Sequence, residues 1–293
     1  MDSFGELLTA MVTPFDDKLE LDLEKARELA TYLVDNGSDG LVVLGTTGES
    51  PTLTYEEKVK LLEAVVDEVG DRAVIVAGTG SYSTAESIRL TKMAEEIGVD
   101  GLLLVTPYYN KPPQSGLYYH FKAIAESTSL PIMLYNIPGR TARNIEVETM
   151  LELAKIDNIV AVKESSGDLN QVSKLTRLLP DDFLVYSGDD SLTLPVLSVG
   201  GMGVVSVAAH LVGKEIKKMI TDFKNNNLEE AIRMNKKLGK LFEALFMTTN
   251  PIPVKAALNL IGIEVGKVRG PLVEMNEKEK ERLTEVLREY ELL

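Results

Sequence analysis

Short, continuous apolar runs alternate along this chain with longer stretches in which apolar residues recur at helical spacing. A short run that is apolar at every position is typical of a strand buried on both faces of a parallel sheet. Apolar runs of this kind, interrupted only by Thr9 and Ser206, occur at Leu7–Val12, Leu41–Leu44, Val74–Ala77, Leu102–Val105, Ile132–Leu134, Ile159–Val162, Phe183–Val185 and Val204–Val207. Between them lie amphipathic segments, for example Val59, Leu62, Val66 and Val69. The pattern therefore predicts eight strand–helix units.

A weak internal repeat supports the same unit. The segments Asn36–Leu44 and Ile97–Val105 resemble each other, each with a glycine that ends a helix, an Asp-Gly turn and a buried strand. Polar residues also mark predicted helix starts, and we expect capping boxes at Thr54 with Glu57, Ser83 with Glu86, and Asn227 with Glu230.

The predicted fold class is α/β, a (β/α)8 TIM barrel. Eight consecutive strand–helix units fit this barrel because a parallel sheet needs covering helices and right-handed crossovers. A doubly wound open sheet is the alternative, but no Gly-x-Gly-x-x-Gly motif follows the first run.

Beyond about Gly213 the strand pattern stops. Helical spacing continues from Leu228 to Leu245, and further helices are predicted near Ile252–Ile261 and Glu277–Glu289. No Pro/Gly/Ser-rich linker separates these helices from the barrel. We expect a catalytic barrel over residues 1–224 and a C-terminal helical extension over residues 225–293 that packs on it.

Composition and charge exclude several classes of function. The chain has 293 residues, and 31 basic against 45 acidic residues give a net charge of −14, which disfavours nucleic-acid binding. Without cysteines there are no disulfides, thiolate nucleophiles or zinc ribbons. His120 and His210 lie far apart without metal-ligand spacing, so we expect no metal and no cofactor. No Gly-x-Ser-x-Gly turn supports a serine hydrolase.

No apolar stretch is long enough to span a membrane. The first residues, Met1–Glu6, lack the basic start and the long apolar core of a signal peptide. We therefore expect a cytoplasmic protein without a membrane partner.

Lys163 is the first candidate for chemistry. It ends the sixth apolar run, immediately before a small, polar turn. In (β/α)8 barrels the C-terminal ends of the strands build the active site. A desolvated amine at such a place is a candidate Schiff-base nucleophile. The alternative is a strand-end lysine that pairs with an acid such as Glu164, and this segment alone does not separate the two interpretations.

Other strand ends carry groups that suit the same chemistry. The hydroxyl and N–H groups of the glycine-containing loop Gly45–Glu49 can face an anion, although the loop is equally consistent with a plain connection. The tyrosines of Pro107–Asn110 could relay protons or simply pack. Tyr135 ends the fifth run, and Arg140 after it could clamp a carboxylate or remain a solvated cation. Together these groups indicate carbonyl chemistry on a small oxo-acid.

These motifs occur in the order and spacing of a known family. From about Leu7 to its C-terminus the chain resembles the dihydrodipicolinate synthase family of pyruvate-dependent class I aldolases, which is related to N-acetylneuraminate lyase. The resemblance is carried by Gly45–Ser50, Tyr108–Asn110, Tyr135–Thr141, Val162–Glu164, Ser187–Asp190 and Asn250–Lys255. It implies condensation of pyruvate with L-aspartate 4-semialdehyde to 4-hydroxy-tetrahydrodipicolinate, in the diaminopimelate route to lysine.

The resemblance also implies catalytic roles. Lys163 would form an imine with pyruvate, and Tyr135 would move protons during imine formation and condensation. Thr46 would link Tyr135 by hydrogen bonds to Tyr109. In the family this last tyrosine comes from the neighbouring subunit, so the resemblance implies a homotetramer built from two tight dimers.

Four further positions match substrate-binding residues of the family. Thr47 would bind the carboxylate of pyruvate, and Arg140 would bind the carboxylate of the semialdehyde. Gly188 and Val205 would line the pocket through backbone groups. Sugar-acid lyases of the superfamily generally lack this arginine, so it favours the synthase over an aldolase acting on 2-keto-3-deoxy sugar acids. A third hypothesis is a non-catalytic oxo-acid-binding protein, but such a protein would not need the proton relay.

Six positions match the lysine-inhibitor site of the family: Ser50, Tyr55, Lys58, Tyr82, Glu86 and Tyr108. Inhibitable members often carry His or Asn where this chain has Tyr55, Lys58 and Tyr82. Lys58 would place a cation close to a cationic inhibitor, which is electrostatically unfavourable. We therefore expect weak or absent feedback inhibition by lysine.

Overall fold

The computed structural model describes residues 4–293, and within them eight parallel strands close into a barrel in sequence order. The strands are β1 (Leu7–Ala10), β2 (Gly40–Val43), β3 (Val74–Gly78), β4 (Gly101–Val105), β5 (Ile132–Asn136), β6 (Ile159–Glu164), β7 (Leu184–Ser187) and β8 (Gly203–Ser206). Each strand overlaps one predicted apolar run. The prediction of a (β/α)8 barrel is therefore confirmed.

Helices follow the strands and continue after the barrel has closed. They are α1 (Leu23–Asp35), α2 (Tyr55–Val69), α3 (Thr84–Ile97), α4 (Gln114–Ala125), α5 (Pro138–Thr141), α6 (Val147–Leu153), α7 (Leu169–Leu178), α8 (Thr193–Ser198), α9 (Ala209–Lys224), α10 (Leu228–Ala244), α11 (Ile252–Leu260) and α12 (Glu277–Glu289). The last three form the predicted C-terminal helical layer. Within residues 4–293, no helix is both long and apolar enough to cross a membrane.

Alternate strand residues fill the interior of the barrel. The buried interior cluster consists of Phe4, Leu8, Ala10, Val42, Val76, Leu103, Met133, Tyr135, Ala161, Tyr186 and Val205. The intervening strand residues, such as Leu134 and Val162, belong to the larger core between the strands and the helices. Because side chains alternate with a period of two, Lys163 shares the interior face of β6 with Ala161.

Phe4 closes the N-terminal end of the barrel. Its ring is buried and lies against Gly101, where an added Cβ would come within 2.5 Å of Cε1 of Phe4. Nearby, the hydroxyl of Tyr186 donates a hydrogen bond to the backbone oxygen of Gly5 over 2.8 Å. The floor of the barrel is therefore packed with side chains, as expected for this fold.

The Asp-Gly repeat has a shared structural basis. Oδ2 of Asp39 accepts a hydrogen bond from the N–H of Leu7 over 3.0 Å, and Oδ2 of Asp100 accepts one from the N–H of Ile75 over 2.8 Å. In each case the aspartate stands just before a strand and bonds the backbone of the preceding strand. The repeat therefore fixes neighbouring strands at the N-terminal end of the barrel.

Of the three predicted capping boxes, one forms in full, one forms in part and one does not form. Thr54 accepts from the N–H of Glu57, whose side chain accepts from the N–H of Thr54, so this capping box is complete. Ser83 accepts from the N–H of Glu86, but the reciprocal bond is missing, because the carboxylate of Glu86 accepts from Arg89 instead. The third prediction was wrong, because the side chain of Asn227 donates to a carboxylate in the last turn of α9 and does not cap α10.

Candidate active site

Lys163 lies inside the mouth of the barrel beside Tyr135. The two residues are register partners on β6 and β5, and Nζ of Lys163 lies 4.2 Å from the centroid of the Tyr135 ring. Both side chains are largely withdrawn from water, with exposed fractions of 6% and 5%. The barrel thus places an amine and a phenol together at the C-terminal ends of adjacent strands.

The carboxylate of Glu164 is engaged by other groups. It accepts hydrogen bonds from Nδ2 of Asn136 (2.9 Å), Nε2 of Gln171 (3.0 Å) and the backbone N–H of Ser166 (2.7 Å). Successive residues of a strand point to opposite faces, so this side chain points away from the barrel interior. The alternative in which Lys163 pairs with Glu164 is therefore wrong.

The loop after β2 brings two threonine hydroxyls to the same end of the barrel. Thr47 is buried, and its Oγ1 accepts a hydrogen bond from Nδ2 of Asn250 over 2.9 Å. Thr46 is half-buried, and its backbone oxygen accepts from the N–H of Glu49 over 3.1 Å. The loop is therefore a short turn, and its second threonine is hydrogen-bonded to Asn250, which precedes α11 of the C-terminal layer.

A buried ion pair anchors the same loop. Oε1 of Glu49 lies 3.1 Å from Nζ of Lys255, and Oε2 of Glu49 accepts from the N–H of Arg269 over 2.8 Å. Nζ of Lys255 also donates to the backbone oxygens of Thr13 and Lys267. Burial lowers the pKa of Lys255 to about 8, while the carboxylate of Glu49 acts in the opposite direction. This amine is committed to three oxygens, so its role is structural.

Arg140 stands in α5, directly after β5. Its guanidinium is exposed, and Nη2 donates to the backbone oxygen of Asn250 over 3.3 Å. Since Asn250 also bonds Thr47, the loops after β2 and β5 meet at one residue that precedes α11. Asn250 was not predicted as a site residue. The signal that could have found it is its place in the segment Asn250–Lys255, whose polar residues both turn out to be buried.

Gly188 lies against Lys163. An added Cβ at this position would overlap Oγ of Ser165 and would come within 2.8 Å of Cε of Lys163, so only glycine fits. Val205 is buried on the interior face of β8, in register with Leu8 of β1. Val205 therefore lies within the barrel, and Gly188 lies directly after β7, beside the side chain of Lys163.

Tyr109 is placed apart from these residues. Its side chain is 92% exposed, and its φ of 70° lies in the left-handed region. Within the single chain it does not join the buried group around Lys163. The relay from Tyr135 through Thr46 to Tyr109 stays a prediction.

The six predicted inhibitor-site positions lie on neighbouring elements: Ser50 in a 3₁₀ turn, Tyr55 and Lys58 on α2, Tyr82 before α3, Glu86 on α3 and Tyr108 after β4. The rings of Tyr82 and Tyr108 meet edge to face with centroids 5.3 Å apart. Burial raises the pKa of the Tyr108 hydroxyl. The structure thus gathers these positions beside the loops after β2, β3 and β4.

The charged side chains of this second group already have hydrogen-bond partners. Arg89 donates to both carboxylate oxygens of Glu86 (2.9 and 2.8 Å) and lies 4.1 Å over the ring of Tyr55. Hydrogen bonding from Arg89 lowers the pKa of Glu86. Nζ of Lys58 donates to the backbone oxygen of Leu53, and burial lowers the pKa of Lys58 while Glu86 acts in the opposite direction.

Both histidines have structural environments. Nδ1 of His210 lies 2.8 Å from the backbone oxygen of Val207, and Nε2 accepts from the N–H of Val12 over 3.2 Å. Nδ1 of His120 lies 2.9 Å from the hydroxyl of Thr84. Burial lowers the pKa of each histidine to about 4. Among residues 4–293, no cluster of three potential metal ligands is found.

Residues 3–290 match the model of the dihydrodipicolinate synthetase family. A 4-hydroxy-tetrahydrodipicolinate synthase from Desulforudis audaxviator is 62% identical over 290 residues, which covers 99% of each chain. A crystal structure of a dihydrodipicolinate synthase from Bacillus anthracis is 50% identical with a TM-score of 0.96, covering 98% of this chain and 99% of the other. A structure of the enzyme from Cyanidioschyzon merolae with lysine bound is 49% identical with a TM-score of 0.97, covering 99% of each chain.

Proposed function

The chain belongs to the dihydrodipicolinate synthetase family and condenses pyruvate with L-aspartate 4-semialdehyde to 4-hydroxy-tetrahydrodipicolinate; from this premise we propose how its barrel mouth carries out the reaction. The observation that carries the proposal is the buried pair of Lys163 and Tyr135, with Nζ 4.2 Å from the centroid of the phenol ring. The acid next to Lys163 is committed to other donors, which leaves this amine to react.

Lys163 attacks the carbonyl carbon of pyruvate and, with loss of water, forms an imine. Loss of a proton from the methyl group converts the imine into an enamine, the carbon nucleophile of the condensation. Tyr135 supplies and removes protons at the reacting atoms, because its ring already lies beside the amine. Thr46 and Tyr109 continue this proton path. No metal or cofactor is needed, because the protonated imine itself stabilises the developing carbanion.

The carboxylate of pyruvate binds to the hydroxyl of Thr47, and its carbonyl end faces Lys163. The absence of a side chain at Gly188 leaves room for the side chain of Lys163 and for Oγ of Ser165, since an added Cβ would meet both. Gly188 and Val205 line the pocket through backbone groups. This arrangement fixes pyruvate at both ends and orients its carbonyl carbon toward the amine.

Arg140 binds the carboxylate of L-aspartate 4-semialdehyde at the exposed rim of the barrel. The enamine attacks the aldehyde carbon, and the amino group of the semialdehyde then displaces Lys163 and closes the ring. A 2-keto-3-deoxy sugar acid offers hydroxyl groups at the corresponding place, so the guanidinium favours the amino-acid substrate.

The assembly that we propose is a homotetramer, a dimer of dimers, in the cytoplasm. A tyrosine ring that is 92% exposed in the single chain supports an interface at Tyr109. Tyr109 would extend into the active site of the neighbouring subunit. We assign the chemistry to residues 1–224 and a supporting role to the extension over residues 225–293.

The imine is tested by trapping. The protein is incubated with pyruvate and borohydride, and the peptide that contains Lys163 is then examined by mass spectrometry. We expect one reduced pyruvate adduct on Lys163, and the Lys163→Ala variant should lose the adduct and nearly all turnover. The absence of an adduct, or an adduct on the buried Lys255, would overturn the mechanism.

The second substrate is tested with Arg140→Ala. This variant should use the semialdehyde poorly while it still forms the pyruvate adduct, because Arg140 contacts the second substrate alone. Arg233→Ala, at an exposed arginine on α10, is the matched control and should change neither property. Turnover of sugar acids without turnover of the semialdehyde would contradict the assignment of Arg140.

For regulation we propose weak or absent inhibition by lysine. Glu86 is already bound by Arg89, and Lys58 adds a cation that would repel the ammonium groups of lysine. Activity should therefore stay nearly unchanged in millimolar lysine. Clear suppression of the purified enzyme at that concentration would contradict the proposal.

A further inference from the structure

Asn250 contacts both residues to which we assign the substrate carboxylates. Its side-chain Nδ2 donates to Oγ1 of Thr47 over 2.9 Å, and its backbone oxygen accepts from Nη2 of Arg140 over 3.3 Å. The side chain of Asn250 is buried, with an exposed fraction of 6% for the residue. One residue of the C-terminal layer therefore links the loops that follow β2 and β5.

The direction of the bond to Thr47 determines what that hydroxyl can do next. A threonine hydroxyl has a single hydrogen to donate and two lone pairs that accept. Because Asn250 donates to Oγ1, the amide occupies a lone pair and leaves the hydrogen of Thr47 available. A hydroxyl held in this way is prepared to donate to an anion such as a carboxylate.

The other end of the Asn250 amide makes no bond that competes with the one to Thr47. Its Oδ1 is buried and has no hydrogen-bond partner among residues 4–293. A buried acceptor without a partner is unfavourable, and each such group in a folded protein needs an explanation. Among residues 4–293, the hydrogen bond that this side chain makes is the one from Nδ2 to Oγ1 of Thr47.

We propose that Asn250 is a positioning residue that orients the hydroxyl of Thr47 toward the carboxylate of pyruvate. The inference rests on the proposed function, because it takes Thr47 as the pyruvate-binding group. The side chain of Asn250 acts through Thr47, whereas its contact with Arg140 is made by the backbone. Side-chain substitutions should therefore weaken the use of pyruvate and leave the use of the semialdehyde nearly intact.

Two substitutions of similar size test the donor on Asn250, the first without added charge and the second with a negative charge. Asn250→Leu removes the donor without adding charge, and Asn250→Asp replaces the donor with an acceptor that takes the hydrogen of Thr47. We expect KM for pyruvate to rise roughly tenfold in Asn250→Leu and up to about a hundredfold in Asn250→Asp. The effect is large because a hydrogen bond to a charged carboxylate is stronger than one between neutral groups. KM for the semialdehyde should change less than about threefold in both.

A double-mutant cycle tests whether Asn250 acts through Thr47. In a Thr47→Val background the hydroxyl is gone, so Asn250→Leu should raise KM for pyruvate by less than about threefold. Effects that multiply independently would overturn the inference, because they would show that Asn250 acts elsewhere.

Asn259→Leu is the matched control. Asn259 lies on α11, and its amide bonds the backbone of Val265 and Gly266 away from the barrel mouth. This variant should lower the melting temperature without changing KM for pyruvate. Circular dichroism reports whether each variant folds. If Asn250→Asp does not fold, the measurement on Asn250→Leu decides.

Borohydride trapping of the unsubstituted protein separates the two levels of the proposal. Absence of a pyruvate adduct there would mean that the proposed function fails. An adduct there, together with an unchanged KM for pyruvate in the Asn250 variants, would overturn only the role of Asn250. An equal rise of both KM values would also overturn it, because a merely structural disturbance moves Thr47 and Arg140 together.

Discussion

Lys255 and Glu49 form an ion pair that is almost completely removed from water. Nζ lies 3.1 Å from Oε1, and the exposed fractions of the two side chains are 2% and 1%. The pair joins α11 of the C-terminal layer to the loop that carries Thr46 and Thr47. The helices after the barrel therefore hold the loop after β2 in place through charge as well as through packing.

Removing one member of this pair should be strongly destabilising. In Lys255→Met the carboxylate of Glu49 stays buried without its cation, and we expect the free energy of unfolding to fall by about 3–5 kcal/mol. Urea unfolding measures the change. The double variant Lys255→Met/Glu49→Gln should recover part of this loss, because it removes both charges.

The matched control for this prediction is Lys155→Met, which breaks an exposed pair with Glu152. Exposed pairs contribute about 0–1 kcal/mol, so this variant should unfold almost like the unsubstituted protein. Equal stability of the Lys255 and Lys155 variants would contradict the assigned role of the buried pair.

Substitution of Gly188 should displace Lys163, the proposed nucleophile. In Gly188→Ala the new methyl group would overlap Ser165 and press on the side chain of Lys163. We expect the yield of the pyruvate adduct and the turnover to fall at least about tenfold, since a small misplacement of reacting groups has a large effect on rate. Mass spectrometry of the trapped adduct is the measurement.

Gly239→Ala is the control for the glycine substitution. Gly239 lies in α10, where an added Cβ meets nothing within 4 Å. This variant should keep full activity and gain about 0.5–1 kcal/mol of stability from helix propensity. Normal trapping in Gly188→Ala would show that Lys163 adapts to the methyl group.

His210 should make the fold sensitive to acid. Burial lowers its pKa from 6.5 to about 4, so between these values the unfolded chain binds a proton that the folded chain does not. The free energy of unfolding should therefore fall as the pH drops, and this histidine should account for about 2 kcal/mol between pH 7 and pH 5.

In His210→Asn the titrating group is absent, and the loss of stability over that pH range should be smaller by the same amount. Urea unfolding at several pH values measures both proteins. His120 is still present in the variant, so its own contribution cancels in the comparison. Identical pH dependence in the two proteins would contradict the assignment.

Activity should be recovered by mixing two inactive variants if Tyr109 acts across an interface. Lys163→Ala lacks the nucleophile, and Tyr109→Phe lacks the distal hydroxyl. A mixed dimer contains one site with Lys163 from one subunit and Tyr109 from the other. After dissociation and reassembly we expect roughly a quarter of full activity, because half of the dimers are mixed and one of their two sites is intact. No recovery would contradict the shared site.

The barrel could be predicted from the sequence because each strand contains a short and mostly apolar run. The apolar pattern ended before Tyr135 and Lys163, whereas β5 and β6 continue to Asn136 and Glu164. Polar residues extend these strands because the barrel mouth and the amides outside it supply hydrogen-bond partners. The functional ends of the strands are thus the part that hydrophobic pattern alone describes least well.

The parts of the site that were not predicted depend on contacts between residues distant in sequence. The contact of Thr47 with Asn250 spans 203 positions, and the pair of Glu49 with Lys255 spans 206. No local pattern encodes such a pairing. The wrong prediction at Asn227 has a local cause instead, because its side chain donates to the carboxylate of Asp222, about one turn earlier.

The packed floor formed around Phe4 determines by which end of the barrel substrates and product enter and leave. The N-terminal end of the barrel is occupied by side chains, so substrates and product all pass through the opening at the C-terminal end. With the roles that we propose for Lys163 within that opening and for Arg140 at its rim, pyruvate has to enter before the semialdehyde occupies the rim. Because both substrates share one opening, they must bind in a fixed order. Excess semialdehyde should therefore inhibit the enzyme by binding before pyruvate.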